Sequence, residues 1–354
     1  MSKRHALWVS TSTTTRGGVA TYVRTMQQTP LWDRWQVRHI ATHRNGSVAT
    51  RLWAFIIGAG VFVRELIARR PALVHLHTAS YGSFARKSTL AWIAHAAQVP
   101  VVIHVHGAAF EDFHRRSPRL LKLYIRRTLE GAGAVIALGD TWGRALARIA
   151  PGARIAVVSN AVEPRRPVDQ PGRDEPLHVL FLGEIDDRKG AFLLLEAWSE
   201  LGDVAARGGA DLVMAGSGAL IQARQLAANL GIADEVQLPG WVGAAEVQEL
   251  LNKSHILVLP STFEGQPMAV LEAMAHGLCV VATDVGGVSD LVDDCGVLIP
   301  VGDREALVDA LRYVISDSER RAELGSRAYR RMQEKFDVNH TWKALDALYE
   351  ELTG

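Results

Sequence analysis

Apolar runs of six to eight residues recur along the first half of the chain, and stretches with helical spacing separate them. We interpret these runs as strands, because short apolar segments bounded by turn residues are typical of strands buried in a sheet. The helical patterns between them, for example at 84–97 and 118–130, predict crossovers and therefore a parallel sheet. The predicted strands of this half are 5–10, 35–42, 72–78, 100–107, 133–139 and 154–160.

The same alternation restarts after a linker at 163–176, which contains four prolines and no apolar period. We therefore predict an α/β fold with two Rossmann-like, doubly wound parallel-sheet domains that face each other across a cleft. Ligands of such sheets bind at the carboxyl ends of the strands. The predicted strands of the second half are 177–183, 210–216, 235–240, 255–260, 279–284 and 296–300. The predicted domains are 1–166 and 167–336, followed by a helix at 337–354 that packs back toward the first domain.

The bulk composition fits two soluble domains. The chain has 354 residues, of which 48% are hydrophobic and 22% are charged, and this length is enough for two separate cores. Cys279 and Cys295 both lie in apolar surroundings, which indicates buried reduced thiols in a reducing compartment. The first apolar run, ALWVS, is too short for a secretory signal, so we expect a cytoplasmic protein.

Charge is divided unevenly between the two halves. Residues 1–166 contain 24 of the 39 basic and 7 of the 38 acidic residues, a balance of +17, and residues 167–354 contain the other 15 and 31, a balance of −16. A basic half is compatible with nucleic acid, anionic lipid or phosphorylated small molecules, and equally with a solvated arginine-rich surface. In the segment 51–70, twelve uncharged residues lie between Arg51 and Arg64, which are too few to cross a bilayer. This segment is therefore either a buried helix or one that lies on a surface. The segment 115–131 is basic and amphipathic.

The stretch STFEGQPMAVLEAMAHG (261–277) contains two acids eight positions apart, Glu264 and Glu272. Pro267 and Gly277 suit the start and the end of a helix at about 267–276. The backbone N–H groups at 265–268 and the helix dipole favour an anion such as a diphosphate. Acids on both sides of a diphosphate could accept hydrogen bonds from the sugar and ribose hydroxyls of a nucleotide-sugar. The spacing alone fits equally well with two acids that have no common role.

The longer stretch FEGQPMAVLEAMAHGLCVVATDVGG resembles the signature of the retaining glycosyltransferases of family 4, which have the GT-B fold. The resemblance covers most of the chain, from RGGVATYV to the terminal helix, and it extends to enzymes of bacterial exopolysaccharide and glycolipid synthesis. It implies that Glu264 holds sugar hydroxyls near the reacting centre and that Glu272 holds the ribose. The donor phosphates would lie against the backbone of Gly265, Gln266, Pro267 and Met268.

A second motif of that family matches GEIDDRKG (183–190). Lys189 stands where the family places a lysine on the donor diphosphate, and a cation there offsets charge that grows on the leaving group. The family usually has an arginine directly after the first glycine, where this chain has Glu184. Arg188 is our candidate for the second positive charge. We interpret Asp186 and Asp187 as a charged loop, because Mg²⁺ needs more oxygen ligands than this stretch offers.

The remaining matches lie in loops. The resemblance places Gly17 and Gly18 in a loop that closes over the donor phosphates and the acceptor, and Gly216 and Ser217 in the nucleotide-side loop. It also makes His106 the histidine that contacts the transferred sugar. We interpret His104 as structural. We expect no metal site from His75, His77, His104 and His106, because they would need to converge from two strands and no acid accompanies them.

These motifs predict a retaining, metal-independent hexosyltransferase with His106, Lys189 and Glu264 as catalytic residues and no cofactor. It would move a sugar from a UDP- or GDP-sugar to a hydroxyl of a glycan or lipid-linked acceptor. We expect no nucleic-acid partner. A further candidate partner is the anionic inner face of the cell membrane, to which the protein would bind peripherally. Alternatives are an epimerase or phosphorylase of the same fold and a non-catalytic GT-B partner protein. A dinucleotide-dependent oxidoreductase is disfavoured, because no G-x-G-x-x-G follows the first strand.

Overall fold

The computed structural model describes residues 5–172, 175–202 and 209–354. It divides into two compact units. The first unit comprises Met1–Ala161 together with Val338–Gly354, and the second comprises Val162–Asp337. Each unit has its own parallel sheet and its own apolar core.

The first unit has a six-stranded parallel sheet in the order β2-β1-β3-β4-β5-β6. Its strands are β1 (Ala6–Ser10), β2 (Arg38–Ala41), β3 (Leu73–Thr78), β4 (Val101–Val105), β5 (Ala134–Ala137) and β6 (Ile155–Val157). Its helices are α1 (Gly18–Gln27), α2 (Pro30–Arg34), α3 (Val48–Arg69), α4 (Gly82–Ala96), α5 (Phe110–Arg116), α6 (Arg119–Glu130), α7 (Asp140–Ile149) and, from the end of the chain, α15 (Val338–Thr353).

Apolar side chains cover both faces of this first sheet. One core joins alternate strand residues such as Leu7 and Val9 to Phe62 of α3 and Phe84 of α4. The other core lies on the opposite face. It joins Trp8, Val102 and Ile136 to residues of α1, α2 and α15. Because both faces are buried, the strands are continuously apolar, as expected for a parallel sheet.

Helix α15 is bound to the first unit by polar and aromatic contacts. The indole Nε1 of Trp35 donates a hydrogen bond to Asp346 Oδ1 at 2.7 Å, and Arg34 forms an ion pair with the same carboxylate at 2.9 Å. The rings of Trp35 and Tyr349 meet edge to face at 5.3 Å. The predicted terminal helix at 337–354 therefore corresponds to α15, which closes the second core of this unit.

The second unit also has a six-stranded parallel sheet, in the order β12-β11-β10-β7-β8-β9. Its strands are β7 (Leu177–Leu182), β8 (Ala210–Ala215), β9 (Val236–Gly240), β10 (Ile256–Leu259), β11 (Cys279–Thr283) and β12 (Val297–Ile299). Its described helices are α8 (Ala191–Ser199), α9 (Leu220–Asn229), α10 (Ala244–Lys253), α11 (Met268–Ala275), α12 (Val288–Val292), α13 (Arg304–Ser316) and α14 (Ser318–Lys335).

The described part of the linker predicted at 163–176 contacts the second unit. Val162 pairs with Asp337, the Val168 N–H donates to His276 O at 2.8 Å, and the Gln170 amide donates to Gly277 O at 3.3 Å. These hydrogen bonds place the border of the units between 161 and 162, whereas the sequence predicted it between 166 and 167.

The α/β class and the two doubly wound parallel sheets predicted from the sequence are confirmed. Each of the twelve predicted strands is present, and its observed ends lie within three residues of the predicted ones. Helix α3 resolves the alternative that the sequence left open for 51–70: its inner side is buried at Phe62 and Leu66, and its outer side exposes Trp53 and Ile57.

Three histidines lie inside the second core of the first unit. His75 and His77 alternate along β3, and His77 is in register with His104 of β4, so all three rings share one face of the sheet. His75 Nε2 lies 3.2 Å from His104 Nδ1, and His75 Nδ1 is hydrogen-bonded to the Tyr349 hydroxyl. Burial holds the pKa of each of these three imidazoles well below its usual range.

These buried histidines predict that acid destabilises the first unit. Their folded-state pKa lies below the unfolded value of 6.5, so the unfolded chain takes up protons that the folded chain does not. Stability is complete above pH 6.5 and falls as the pH decreases below it, by roughly 1 kcal/mol per pH unit for each histidine. Urea unfolding at pH 7.5, 6.5 and 5.5 measures this slope.

A variant pair isolates the buried imidazoles in that experiment. His104→Gln removes one buried titrating group, so its stability should fall less steeply with acid than that of the wild type. Exposed His95→Gln should keep the wild-type slope. Equal slopes for His104→Gln and the wild type would contradict the assignment.

Candidate functional site

The strand order of the second sheet creates a switch point between β7 and β10. From β7 the chain continues to β8 on one side, whereas from β10 it continues to β11 on the other. The loops that follow β7 and β10 therefore leave the carboxyl edge in opposite directions, which opens a crevice of the kind in which α/β sheets bind ligands. These loops carry two of the predicted motifs, 183–190 and 261–268.

An ion pair joins the two loops at this switch point. Lys189 Nζ contacts Glu264 Oε1, and both side chains are mostly buried, with 17% and 9% exposed. A buried ion pair holds its shape only where further hydrogen bonds support it. The two residues are 75 positions apart, and the sequence assigned them separate roles in one site.

Two hydroxyl side chains support Glu264. Ser261 Oγ donates to Glu264 Oε1 at 2.7 Å, and Ser261 is itself fully buried. The Thr283 hydroxyl at the end of β11 donates to the carbonyl oxygen of Ser261. Sequence reasoning missed both residues, although Ser261 begins the quoted stretch three positions before the acid.

The loop before Lys189 is shaped by Asp186 and Gly190. Asp186 Oδ1 accepts the Lys189 backbone N–H at 2.8 Å, so this acid fixes the turn. Gly190 has a φ of +71°, and a Cβ there would collide with the carbonyl oxygen of Pro260. Only glycine therefore lets the β7 loop approach the β10 loop so closely.

Arg188 is half-exposed and lies beside two acids of its own loop. Its Nη2 is 3.4 Å from Glu184 Oε2 and 3.6 Å from Asp186 Oδ2. Its carbonyl oxygen accepts the Thr262 N–H at 2.8 Å, which adds a second bond between the β7 and β10 loops. A phosphate-binding role for Arg188 stays a prediction.

The loop after β8 lies against the loop after β7. A Cβ on Gly216 would collide with the carbonyl oxygen of Gly183, and the Ile185 N–H donates to Ser217 O at 2.7 Å. The structure thus brings Gly216 and Ser217 to the same edge as the Lys189 loop.

Helix α11 begins where the resemblance placed the diphosphate. It spans Met268–Ala275 with Pro267 at its N-cap and no side-chain cap. Its first N–H groups have no acceptor within the helix, and its dipole favours negative charge there. Gly265 O accepts the Gly287 N–H at 2.9 Å, and Gln266 is buried. Half-buried Glu272 lies just over one turn into the helix.

The predicted residues of the first unit lie at the carboxyl edge of its own sheet. Gly17 has a φ of +120° and precedes α1, which begins at Gly18. The Arg24 guanidinium donates to Thr13 O at 2.7 Å and so ties α1 to the loop after β1. This loop lies beside the switch point of the first sheet, between β1 and β3.

His106 follows β4 at the same edge. Its Nε2 lies 2.9 Å from His77 Nδ1, and its backbone N–H donates to Thr78 O at 2.8 Å. Burial lowers the pKa of His106 to about 3, so the ring is neutral at neutral pH. His77 was not assigned a role from the sequence; alternation places it on one face of β3 with His75, but its contact with His106 depends on the position of β3 beside β4, which alternation does not fix.

The expectation that the histidines would fail to converge was wrong. Neighbouring parallel strands in register bring His75, His77 and His104 together, with candidate ligand atoms within 4.8 Å of one another. His75 Nε2 and His104 Nδ1 are paired by a hydrogen bond in this group, and the absence of a metal here stays a prediction.

Two family models cover most of the chain. The description "Glycosyltransferase Family 4" matches residues 15–166, and "Glycosyl transferases group 1" matches residues 165–331. These ranges include every predicted site residue. Within the described residues, no helix is both long enough and apolar enough to cross a lipid bilayer.

Individual relatives agree with the family models. The putative colanic acid biosynthesis glycosyltransferase WcaL of Escherichia coli (strain K12) is 27% identical over 232 residues, which are 62% of this chain and 56% of that protein. The chain spans about half the length of the curated relatives it matches first.

Two solved structures share the fold over the whole chain. Sucrose-phosphate synthase from Thermosynechococcus elongatus superposes with a TM-score of 0.82 at 19% identity and covers 99% of both chains. Anabaena Alr3699/HepE in complex with UDP and glucose gives 0.75 at 18% identity, covering 98% of this chain and 100% of that one. The likeness to these structures shows the GT-B fold, and the two family models, which together span residues 15–331, place the chain among the family 4-like glycosyltransferases.

Proposed function

We propose that this protein is a retaining glycosyltransferase of bacterial polysaccharide or glycolipid synthesis. It would transfer a hexose-type sugar from a UDP- or GDP-sugar to a hydroxyl of a glycan or lipid-linked acceptor. The observation that carries the proposal is the Lys189–Glu264 pair, a cation and an acid held together at the switch point beside the start of α11. Anabaena HepE, whose structure contains UDP and glucose, supports a nucleotide-sugar donor of this class.

The second unit would bind the donor through its diphosphate. Lys189 and the first N–H groups of α11 are the groups that offset phosphate charge. Glu264 would accept hydrogen bonds from sugar hydroxyls while Ser261 keeps its carboxylate in place. Glu272, farther along the same helix, would accept the ribose hydroxyls. Gly216 and Ser217 would lie along the nucleotide.

The reaction would proceed on one face of the sugar. The bond between the anomeric carbon and the phosphate oxygen breaks, and the acceptor oxygen forms its bond to the same carbon from the same side. The acceptor proton passes to the leaving phosphate oxygen, and Lys189 stabilises the negative charge that develops there. His106 would contact the transferred sugar as a neutral imidazole, since its pKa of about 3 keeps it uncharged. No cofactor and no metal ion are required by this scheme.

The two acids have separable roles, which a pair of substitutions tests. Glu264→Gln keeps the shape and the Ser261 contact but removes the charge, so transfer should fall at least a hundredfold while the Kd for the free nucleotide changes less than tenfold, about 1.4 kcal/mol. Glu272→Gln should weaken nucleotide binding instead. Initial rates and calorimetric titration with the free nucleotide measure both effects.

Glu196→Gln on α8 is the matched control, because it removes the same charge from a partly exposed side chain of the same unit. Normal transfer by Glu264→Gln would refute its placement on the sugar. An unchanged Kd for Glu272→Gln would refute its placement on the ribose. Release of free sugar without acceptor would favour an epimerase-like or hydrolytic reaction over transfer.

We also propose peripheral binding of the first unit to an anionic membrane. The outer side of α3 exposes Leu52, Trp53, Ile56 and Ile57, each at least half exposed, and Arg51 and Arg64 lie on the same helix. Helix α6 adds exposed Leu120 and Leu123 among basic residues. Apolar side chains flanked by arginine and lysine suit the boundary between headgroups and acyl chains.

Two groups of substitutions test this membrane contact. Replacing Leu52, Trp53, Ile56 and Ile57 by serine, or Arg116, Arg119, Lys122 and Arg127 by glutamate, should abolish co-sedimentation with vesicles containing phosphatidylglycerol. Arg115 and Arg126 are left unchanged, because each already pairs with an acid of its own helix. Turnover on a short soluble acceptor should stay within twofold.

Salt and lipid composition provide the controls for the vesicle experiment. Binding of the wild type should weaken as salt is raised and should be absent from neutral phosphatidylcholine vesicles. Ile221→Ser, which removes an exposed apolar side chain of the second unit, should bind as the wild type does. If the wild type stays in the supernatant at low salt, the membrane proposal fails and a soluble acceptor is favoured.

A further inference from the structure

A cluster of basic side chains lies at the carboxyl edge of the first sheet, apart from the residues that the family resemblance singles out. Its members are Arg51 of α3, Arg86 and Lys87 of α4, and His43, which follows β2. We call these four residues the cation cluster. They belong to three separate elements that converge beside the ends of β1 and β2.

Short contacts fix the position of this cluster. Lys87 Nζ donates to Thr42 Oγ1 at 2.7 Å, and Thr42 also bonds to Ser10 O at the end of β1. His43 Nδ1 lies 3.3 Å from Thr11 Oγ1, and Arg51 Nε donates to Gly46 O at 3.0 Å. Gly58 allows this arrangement, because a Cβ there would press α3 away from the end of β2.

The cluster contains cations without matching acids. Lys87 is only 3% exposed, and Arg86 Nε is buried without a hydrogen-bond partner. No carboxylate of the described residues forms an ion pair with Arg51, Arg86 or Lys87. Burying an ammonium group without a counter-charge costs several kcal/mol.

The ionisation of the cluster reflects this crowding. Burial, and then the nearby Arg86, lowers the pKa of Lys87 to about 7. Burial, followed by Arg86, Lys87 and Arg51, lowers the pKa of His43. A bound anion would remove the mutual repulsion and restore the charge of Lys87.

We propose that Arg51, Arg86, Lys87 and His43 form a binding site for a phosphate or diphosphate group of the acceptor substrate. The assignment of this anion to the acceptor depends on the proposed glycosyl transfer, whereas the anion site itself depends only on the geometry of the four side chains. Guanidinium and ammonium groups with hydroxyls such as Thr11 beside them are the donors that phosphate oxygens accept. The β2 end of the sheet lies three strand spacings from β4, so the anion would bind about 14 Å from His106 across the sheet.

The test is calorimetric titration with inorganic pyrophosphate in the absence of metal, donor and acceptor. Lys189→Met is the background, because it removes the lysine that we assign to the donor diphosphate in the second unit. In that background, Arg86→Gln and Lys87→Met should each weaken pyrophosphate binding at least tenfold. Arg64→Gln, which removes the same charge from the exposed side of α3, should leave it unchanged.

Two further measurements keep the result interpretable if a variant folds poorly. The NMR signal of the Lys87 side chain should shift to a higher pKa when pyrophosphate is added to the wild type. Lys87→Met should also melt at a higher temperature than the wild type in buffer without multivalent anions, because it removes a buried amine that lacks an acid partner.

Three outcomes would overturn the proposal: pyrophosphate binding that vanishes with Lys189→Met alone, binding that Arg86→Gln does not change, or binding of glucuronate in place of pyrophosphate. The last result would assign the cluster to a carboxylate. Because the titration contains no donor, loss of pyrophosphate binding in Arg86→Gln supports the site even in a protein without transferase activity. If the wild type transfers sugar normally but Arg86→Gln does not change pyrophosphate binding, the anion site is refuted and the proposed glycosyl transfer is not.

Discussion

The Lys189–Glu264 ion pair depends on two loops that leave the second sheet in opposite directions at its switch point. The two loops can meet only because glycine stands at 190, where a side chain would collide with Pro260. Ser261 and Thr283 then hold the acid, and Asp186 holds the turn that carries the lysine. The pairing of a cation and an acid in this unit therefore follows from the strand order and from the close backbone contact of the two loops.

The first unit uses its sheet differently. Its second core contains polar rings, and burial keeps them neutral, so the histidines of β3 and β4 form a packed layer beneath His106. Two groups of basic residues of this unit bear on its binding properties. Some lie beside the exposed apolar side of α3, and others converge at the carboxyl edge, where an anion would relieve their repulsion.

Much of the fold was accessible from the sequence. Short apolar runs separated by helical spacing gave the twelve strands, because a parallel sheet is buried on both faces. Pro267 and Gly277 placed α11 within one residue at each end. The border between the units was missed by five residues, since hydrogen bonds of 162–170 to the second unit cannot be read from proline content.

The site was only partly predictable, because contacts between distant residues depend on strand order. The motif matches named Lys189 and Glu264 but gave no reason to expect an ion pair, and the support from Ser261 and Thr283 went unnoticed. The histidines of β3 and β4 converge because the strands are in register, which alternation alone does not fix. The cation cluster unites three elements far apart in sequence.

Binding of a nucleotide diphosphate sugar is the measurement that tests the account most directly. Calorimetric titration of the wild type and Lys189→Met with UDP-, GDP- and ADP-sugars compares the donor classes in one experiment. We predict that at least one of these sugars binds the wild type and that Lys189→Met weakens its binding a hundredfold, about 3 kcal/mol. Absence of binding by all three, or equal affinity in Lys189→Met, would contradict the assignment of the switch-point ion pair to the donor site.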